Sequence, residues 1–336
     1  MLDYSDLEKY DPTGMHKKYD KWPQIARNAY ESDIEPIDFK NINHIIFAGM
    51  GGSGAMSDIF QAILSKTKIH VSIVKGYLLP NTIDSNTLVV ITSVSGNTEE
   101  TLTVLESANK LNCKIICFSS GGKLEEFCIS NKVNYRKIPL YNNPRTSFPA
   151  YLYSILKVLN SMIPINNDCI EESIEQLENF AKRISSSNLT KTNPSLELAE
   201  WMSDVPFIYY PSGLQAAAIR FKNSFQENIQ SHAIIEDVIE SCHNGVVAWE
   251  TPTNIKPILL QGTEDYIKTK ERWKILEKYF KKNNIDYKVI HSINGNILSK
   301  LINLIYVLDY ATIYRAVMSS IDPSPVKSID YIKEHL

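Results

Sequence analysis

Short apolar runs that end near small-residue turns recur along the first half of the chain. They occupy residues 42–48, 69–75, 87–93 and 114–118. The first, third and fourth runs lead through a glycine- or serine-rich turn into a segment with a helical pattern. Strands that are apolar throughout and alternate with helices are typical of a parallel sheet covered on both faces. The pattern therefore predicts an α/β unit.

The second half repeats this arrangement of elements, although not the residues themselves. The predicted strands lie at residues 205–210, 256–261 and 286–290, and the predicted helices at 214–228, 265–283 and Ile297 to Met318. Residues 1–40 and 148–186 have helical patterns, and the segment 185–195 (SSSNLTKTNPS) resembles a linker. At about 150 residues per domain, 336 residues suggest two domains. We predict domains at 1–185 and 195–336, each a doubly wound, mostly parallel sheet flanked by helices.

Composition and charge exclude several classes of protein. Apolar residues make up 43% and charged residues 22%, which is ordinary for a globular protein with substantial cores. The net charge is −3 without a long basic run, so nucleic acid is not an expected partner. The chain contains no run of about 18 apolar residues, so no membrane span is predicted. The polar residues 1–22 do not resemble a secretory signal.

The cysteines point to a reducing compartment. There are five, an odd number, and none is in C-x-x-C spacing: Cys113, Cys117, Cys128, Cys169 and Cys242. A disulfide framework or a thiolate zinc site is therefore not expected. Buried, reduced cysteines in a cytoplasmic protein are the simplest interpretation.

The first glycine-rich turn has the spacing of a dinucleotide-binding motif. Gly49, Gly51 and Gly54 satisfy G-x-G-x-x-G between a predicted strand and a predicted helix. A dinucleotide site also needs an acidic residue about 20 residues further on, to bind a ribose. The chain has Val74, Lys75 and Gly76 in that place, and no acid. An NAD-dependent enzyme is therefore disfavoured. The hydroxyl of Ser53 at the helix start is the candidate ligand-binding group of this turn.

A second turn carries three hydroxyl groups. Ser93, Ser95 and Thr98 fall within six residues at the end of the third strand. Both turns belong to the carboxyl edge of one parallel sheet, where ligands bind in open α/β folds. Hydroxyls and free N–H groups at a helix start favour a dianion, and two such turns together favour one compact phosphate. The alternative is that these side chains are ordinary helix N-caps, each worth about 1 kcal/mol.

At this point the sequence resembles a known family. GMGGSG (49–54), followed by SVSGNT (93–98), looks like the sugar isomerase (SIS) domain, whose phosphate loop reads S-x-S-G-x-T. Nearly the whole chain resembles the archaeal-type bifunctional phosphoglucose/phosphomannose isomerases, which have two SIS domains. The further segments that carry this resemblance are Pro144-Arg145, Gln226-Glu227-Asn228, Cys242-His243-Asn244 and the closing DPSPVKSIDYIK (Asp322 to Lys333).

The resemblance implies a reaction and roles for named residues. The reaction is the isomerisation of glucose 6-phosphate, and of mannose 6-phosphate, to fructose 6-phosphate through a cis-enediolate. It implies that Glu227 is the base and that Arg145 faces the enediolate oxygens. It also implies that His243, supplied by the partner subunit of a homodimer, and Lys333 assist ring opening. The phosphate contacts would be Gly52 with the four hydroxyls of Ser53, Ser93, Ser95 and Thr98, and no cofactor or metal is expected.

Plain structural interpretations stand beside these roles. Glu227 and Arg145 could be surface residues at helix ends, and His243 could be a loop or packed histidine. Lys333 lies near the end of the chain, where Val326, Ile329 and Ile332 are spaced as in a helix docked on the protein.

Departures from the family pattern leave other functions open. The turn at 211–213 (PSG) lacks the hydroxyl pattern, so it is not expected to bind phosphate, and a single active site per chain, formed between the units, is expected. The alternatives are another phosphosugar isomerase, an amidotransferase-type isomerase unit, or a sugar-phosphate-sensing SIS protein without catalysis. The first 40 residues lack the length and the basic face of a DNA-binding helix-turn-helix domain.

Overall fold

A computed structural model describes residues 2–202 and 205–335. The helices are α1 (Tyr4–Tyr10), α2 (Met15–Tyr19), α3 (Trp22–Glu31), α4 (Gly51–Leu64), α5 (Glu99–Ala108), α6 (Gly122–Asn131), α7 (Phe148–Val158), α8 (Asn167–Ile184), α9 (Pro194–Trp201), α10 (Gln215–Ile229), α11 (Val238–Ser241), α12 (Ile267–Lys282), α13 (Ile297–Met318) and α14 (Lys327–Glu334). The strands are β1 (His44–Ala48), β2 (His70–Val74), β3 (Thr87–Thr92), β4 (Lys114–Ser119), β5 (Asn134–Lys137), β6 (Pro206–Tyr210), β7 (Ile234–Asp237), β8 (Lys256–Gln261) and β9 (Lys288–His291). Short 3-10 helices occupy Ser212–Leu214 and Gly245–Glu250.

These elements form two compact units. Unit 1 comprises Met1–Asp20 and Gln176–Leu336, and unit 2 comprises Lys21–Glu175. Each unit contains one parallel sheet with helices beside it, in the order β2-β1-β3-β4-β5 in unit 2 and β7-β6-β8-β9 in unit 1. The predicted α/β class with two parallel sheets flanked by helices is therefore confirmed.

The inner strands of unit 2 carry its core. Every residue of β1 and β3 is buried, as the unbroken apolar runs predict for strands covered on both faces. Side chains of α5 and α6 complete one core cluster with these strands, including Val104, Leu105 and Leu124. Edge strands β2 and β5 are mostly half-buried or exposed, because each has a neighbour on one side only.

At the carboxyl edge of this sheet the turns approach one another closely. A Cβ on Gly49 would lie 2.9 Å from Ser53 Cβ and 3.1 Å from the carbonyl oxygen of Thr92 at the end of β3. Gly96 has a φ of +71°, and a Cβ there would lie 1.7 Å from the carbonyl oxygen of Gly121. The backbone needs glycine at both positions for the turns to pack.

Unit 1 is organised around α13. All but a few of its 22 residues are buried, and α9 and α10 pack along it. Among the described residues, α13 is the one helix long and apolar enough to cross a membrane by length and composition, and 94% of its most apolar window is buried inside the protein. Its composition therefore reflects its place in the core. A second core cluster on the sheet is aromatic, and in it Trp249 Nε1 donates to the Tyr209 hydroxyl at 2.7 Å.

The first twenty residues belong to unit 1 through specific polar contacts. The Tyr19 hydroxyl donates to Asp309 Oδ2 at 3.0 Å, and the Tyr306 hydroxyl donates to the Tyr19 carbonyl at 2.8 Å. The Ser186 N–H donates to Asp20 Oδ1 at 3.0 Å. The predicted domains at 1–185 and 195–336 differ from the two units in where residues 1–20 and 176–185 belong. Contacts between residues so far apart in the chain leave no local sequence pattern.

The structure departs from the predicted elements in several places. Strand β5 was not predicted, and residues 138–141 after it form a loop. The predicted helix at 148–186 is two helices, α7 and α8. Helix α9, which begins at the end of the predicted linker, was not predicted. Strand β7 was not predicted. Two of the five free cysteines are buried, Cys117 and Cys128, and the other three are half-buried rather than buried as predicted.

The C-terminal segment forms a helix that does not dock as predicted. Helix α14 spans Lys327–Glu334, yet none of its residues is buried within the described structure. Ile329 and Ile332 both remain exposed. The spacing of apolar residues therefore predicted the helix correctly and its docking within this chain wrongly.

We predict that Gly96→Ala lowers the free energy of unfolding by roughly 2–4 kcal/mol, because alanine is strained at positive φ and its Cβ would overlap the Gly121 carbonyl. Urea denaturation measures the change. Gly76→Ala is the matched control, since Gly76 has open space around its Cβ position and no positive φ. Equal stability of the two variants would contradict the close approach.

Candidate functional site

The glycine turn of unit 2 presents free donors at the start of α4. Helix α4 begins at Gly51 with no side-chain cap, so its first N–H groups have no partner within the helix. Ser53 lies in this first turn and is 5% exposed. Its hydroxyl makes no hydrogen bond with any residue that the structure describes, while its carbonyl accepts from Ser57. Gly52 is half-buried beside it. This turn can therefore donate to a ligand.

The second hydroxyl turn is held by its own side chains. Ser93 Oγ donates to Thr98 Oγ1 at 2.9 Å and accepts from the Gly96 N–H at 3.1 Å. Ser95 is exposed, and its Oγ accepts from the Asn97 N–H at 3.3 Å. Thr98 occupies the N-cap position of α5, but its hydroxyl does not cap the helix. The simple capping interpretation thus does not describe Ser53 or Thr98.

The structure brings these two turns together. The close approach of Gly49 to the end of β3 places the first turn directly against the strand that leads into Ser93. Two helix starts, α4 and α5, therefore stand side by side at one edge of the sheet, and their dipoles favour negative charge there. Glu99 and Glu100 in the first turn of α5 oppose this in part. The arrangement suits one compact anion better than an extended ligand.

Arg145 lies in a turn immediately before α7 and is 4% exposed. The alternative of a surface arginine is therefore wrong. A guanidinium keeps its positive charge inside a protein, and arginine is rarely buried without partners. Helix α7 is tied to the second turn, since the Tyr151 hydroxyl donates to the Val94 carbonyl at 3.3 Å. Burial raises the pKa of Tyr151, so this hydroxyl remains a donor.

In unit 1, Glu227 stands in the last turn of α10 and is half-buried. Its neighbour Asn228 is fully buried and donates from Nδ2 to Thr312 Oγ1 on α13 at 2.7 Å. This bond fixes the end of α10 against α13. The carboxyl group of Glu227 is thus carried by a rigid element rather than by a loop.

A buried ion pair lies two turns earlier on the same helix. Arg220 is 1% exposed, and its Nε and Nη2 donate to Asp309 Oδ2 at 2.9 and 2.7 Å. Burial lowers the pKa of Arg220, but Asp309, Tyr19 and Glu227 raise it, and the net shift is upward. Arg220 is therefore a permanent cation within electrostatic reach of Glu227. Sequence reasoning missed it, although the spacing of seven residues from Glu227 places both on one helix face.

His243 and Lys333 are exposed. His243 lies in the turn after α11, and Lys333 lies on α14. Neither side chain forms a hydrogen bond or ion pair with a residue in the described ranges. The loop of His243 is packed against Glu236, because a Cβ on Gly245 would lie 2.3 Å from Glu236 Oε2. Burial raises the pKa of Glu236.

A metal site was not predicted, and the described residues include no group of three or more His, Cys, Asp or Glu side chains that could hold a metal ion. The polar groups of both units are instead hydroxyls, amides, guanidinium groups and single carboxylates. Groups of these kinds can bind anions and transfer protons.

Comparison with known proteins identifies two sequence families. Residues 38–129 match the SIS domain, and residues 191–336 match the bacterial phospho-glucose isomerase C-terminal SIS domain. The first match contains both hydroxyl turns, and the second contains Glu227, His243 and Lys333.

Individual relatives extend over nearly the whole chain. A bifunctional phosphoglucose/phosphomannose isomerase from Caldicellulosiruptor bescii is 32% identical over 97% of this chain and 96% of the relative. A protein of the same name from Aquifex aeolicus is 27% identical over 92% of this chain and 95% of its own length. In fold, a hypothetical protein from Thermus thermophilus aligns with a TM-score of 0.73 at 13% identity, covering 98% of this chain and 91% of that one. The chain belongs to the bifunctional phosphoglucose/phosphomannose isomerase family.

Proposed function

We propose that this protein interconverts glucose 6-phosphate and mannose 6-phosphate with fructose 6-phosphate. One observation carries the proposal: two hydroxyl-bearing turns abut at the carboxyl edge of one sheet, in a chain 32% identical over 97% of its length to an isomerase of that name.

The phosphate group binds at the two turns of unit 2. Gly52 and Ser53 donate from the start of α4, and Ser93, Ser95 and Thr98 line the other side. Helix starts supply partial positive charge without a counter-ion, so a dianion is held without a cationic side chain. The hydroxyl of Ser53 supports this role, because it makes no hydrogen bond with any residue that the structure describes and can therefore donate to a ligand. Binding a single phosphate leaves the sugar carbons free to react.

Glu227 moves the proton. As a carboxylate it removes the proton from C2 of the open-chain aldose, which leaves a cis-enediolate. A proton then passes from the oxygen on C2 to the oxygen on C1, and Glu227 returns its proton to C1 to give the ketose. Addition to the other face of C2, after rotation about the C2–C3 bond, yields the second aldose. The rigid end of α10 supports this role, since proton transfer requires a base held at a fixed distance.

Arg145 stabilises the enediolate. Negative charge develops on the oxygens of C1 and C2, and a guanidinium stabilises this charge without giving up its own proton. Its burial supports the role, because a cation shielded from water acts more strongly on a nearby charge. No metal ion or organic cofactor is needed in this scheme, since the carboxylate transfers the proton directly.

His243 and Lys333 assist ring opening, and His243 acts from the partner subunit of a homodimer. An imidazole can both give a proton to the ring oxygen and take one from it. The exposed position of both side chains supports a role completed outside their own chain, and Val247, close to His243 in sequence, is 58% exposed. Five free cysteines agree with the reducing cytoplasm as the site of the reaction.

The purified protein should convert fructose 6-phosphate into both glucose 6-phosphate and mannose 6-phosphate, with EDTA present. Chromatographic separation of the two aldoses measures this. Glucose 6-phosphate alone would reduce the proposal to a single isomerisation. Tight binding without turnover would replace it with the sugar-phosphate-sensing alternative.

Replacing Glu227 by glutamine should lower kcat by roughly a thousandfold or more, because the base is lost while the shape of the side chain is retained. Exchange of the C2 hydrogen with deuterated solvent, followed by NMR, reports the step directly, and substrate affinity should change little. Glu250→Gln, at an exposed position, is the matched control. Wild-type exchange in the Glu227 variant would show that another group is the base.

The double variant Ser53→Ala/Thr98→Ala should raise KM for phosphorylated hexoses by roughly a hundredfold, since two hydrogen bonds to a charged group are removed. The effect on kcat should be smaller. Steady-state kinetics and inhibition by inorganic phosphate measure both. If KM stayed within twofold of the parent value, the phosphate would bind elsewhere.

A further inference from the structure

Lys75 and Asp58 form a partly buried ion pair behind the glycine turn. Lys75 directly follows β2, and its Nζ donates to Asp58 Oδ1 and Oδ2 on α4 at 2.8 and 2.7 Å. The Asp58 side chain is 8% exposed and the Lys75 side chain 36%. A carboxylate this poorly solvated is strongly unfavourable without a cation beside it. The lysine therefore neutralises a charge carried by the helix that begins at Gly51.

The stem of Lys75 also packs against the first turn of α4. A Cβ on Gly54 would lie 3.2 Å from Lys75 Cε and 3.5 Å from Cδ. The Gly54 N–H donates to the Met50 carbonyl at 3.1 Å, which is the first hydrogen bond of the helix. The lysine thus covers the turn on the side of β2, while β3 bounds it on the side of Thr92. The turn is held between the two strands.

Lys75 occupies the position where a dinucleotide-binding fold would place its ribose-binding acid. Here the charge is reversed, and both lysine contacts are made to Asp58 within the protein. The hydrogen bonds of the Lys75 ammonium group are therefore made to Asp58 and not to a ligand. Lys75 can act on a ligand at the glycine turn only through that turn and through the charge of Asp58.

We propose that Lys75 is a positioning residue of the phosphate site, which neutralises Asp58 and fixes the first turn of α4 so that Gly52 and Ser53 face the ligand. This inference rests on the proposed function. Asp58 lies seven residues along the helix from Gly51, or about 10 Å. At that distance an Asp58 carboxylate that has lost its ammonium partner repels a dianion more strongly, because water screens a poorly solvated charge weakly.

Lys75→Met tests the inference in the full-length protein, because methionine retains most of the stem and removes the charge. We expect KM for fructose 6-phosphate and the inhibition constant of inorganic phosphate to rise together by roughly tenfold, while kcat changes by less than about twofold. Lys75→Arg should remain close to the parent protein. The double variant Lys75→Met/Asp58→Asn should regain most of the phosphate affinity, since no lone charge remains.

Lys288→Met is the matched control. Lys288 also pairs with a carboxylate, Glu197 at 2.6 Å, but it lies at the first residue of β9 in the other sheet. Its removal should leave phosphate inhibition unchanged. The melting temperature of each variant separates loss of stability from loss of phosphate affinity.

The possible results decide between the two proposals. Unchanged phosphate inhibition in Lys75→Met, when Ser53→Ala/Thr98→Ala has lost it, overturns the role of Lys75 alone. A lowered melting temperature with unchanged inhibition has the same meaning. Failure of the double variant to regain affinity also overturns it. Unchanged inhibition in both Lys75→Met and Ser53→Ala/Thr98→Ala overturns the phosphate site, and the role of Lys75 with it.

Discussion

The close contact between backbone segments at the carboxyl edge of the five-stranded sheet is the constraint on which the proposed phosphate site depends. Parallel strands deliver all their following turns to one edge, and two of these turns meet there without intervening side chains. Gly49 allows the first turn to reach β3, and Gly96 allows the second to reach the Gly121 carbonyl. A larger residue at Gly49 would push the first turn away from the end of β3, and one at Gly96 would push the second turn away from the Gly121 carbonyl. Anion affinity in this fold therefore depends on residues that offer no functional group of their own.

In unit 1, contacts between two helices hold the segment that carries the Glu227 carboxylate. Helix α10 is joined to α13 by the Arg220–Asp309 ion pair and by the Asn228–Thr312 hydrogen bond. Asp309 Oδ1 has no partner among the residues described, so the buried pair is not fully satisfied. Such pairs add little net stability but strongly disfavour other packings. Rigid support is what a base in proton transfer requires.

The sequence predicted most of the fold, because the parallel strands are unbroken apolar runs bounded by glycine or serine. The bounds predicted for α13 match those observed, since both ends change sharply from polar to apolar. Strand β7 was missed because its four residues, Ile234–Asp237, end in two acids and carry no apolar run. Helix α9 was missed because a polar segment rich in Ser and Thr precedes it.

The candidate site was predictable only in part. The two hydroxyl turns follow from local patterns, and the contact between them follows from parallel topology. Burial of Arg145 and the Lys75–Asp58 pair depend on contacts across the sheet, which no local pattern records. For α14, the spacing of apolar residues predicts the helix, but it does not predict whether another surface covers its apolar side, which is exposed here.

The discontinuous make-up of unit 1 has a consequence for how the protein matures on the ribosome. Residues 21–175 of unit 2 are contiguous, so this unit can fold while translation continues. Tyr19 meets its acceptor Asp309 only after 290 further residues have been added. Until then the first twenty residues lack their contacts with the later part of unit 1, and the apolar core of that unit is incomplete. The apolar faces of α9 and α10, which pack on α13, therefore remain uncovered until that helix has been made.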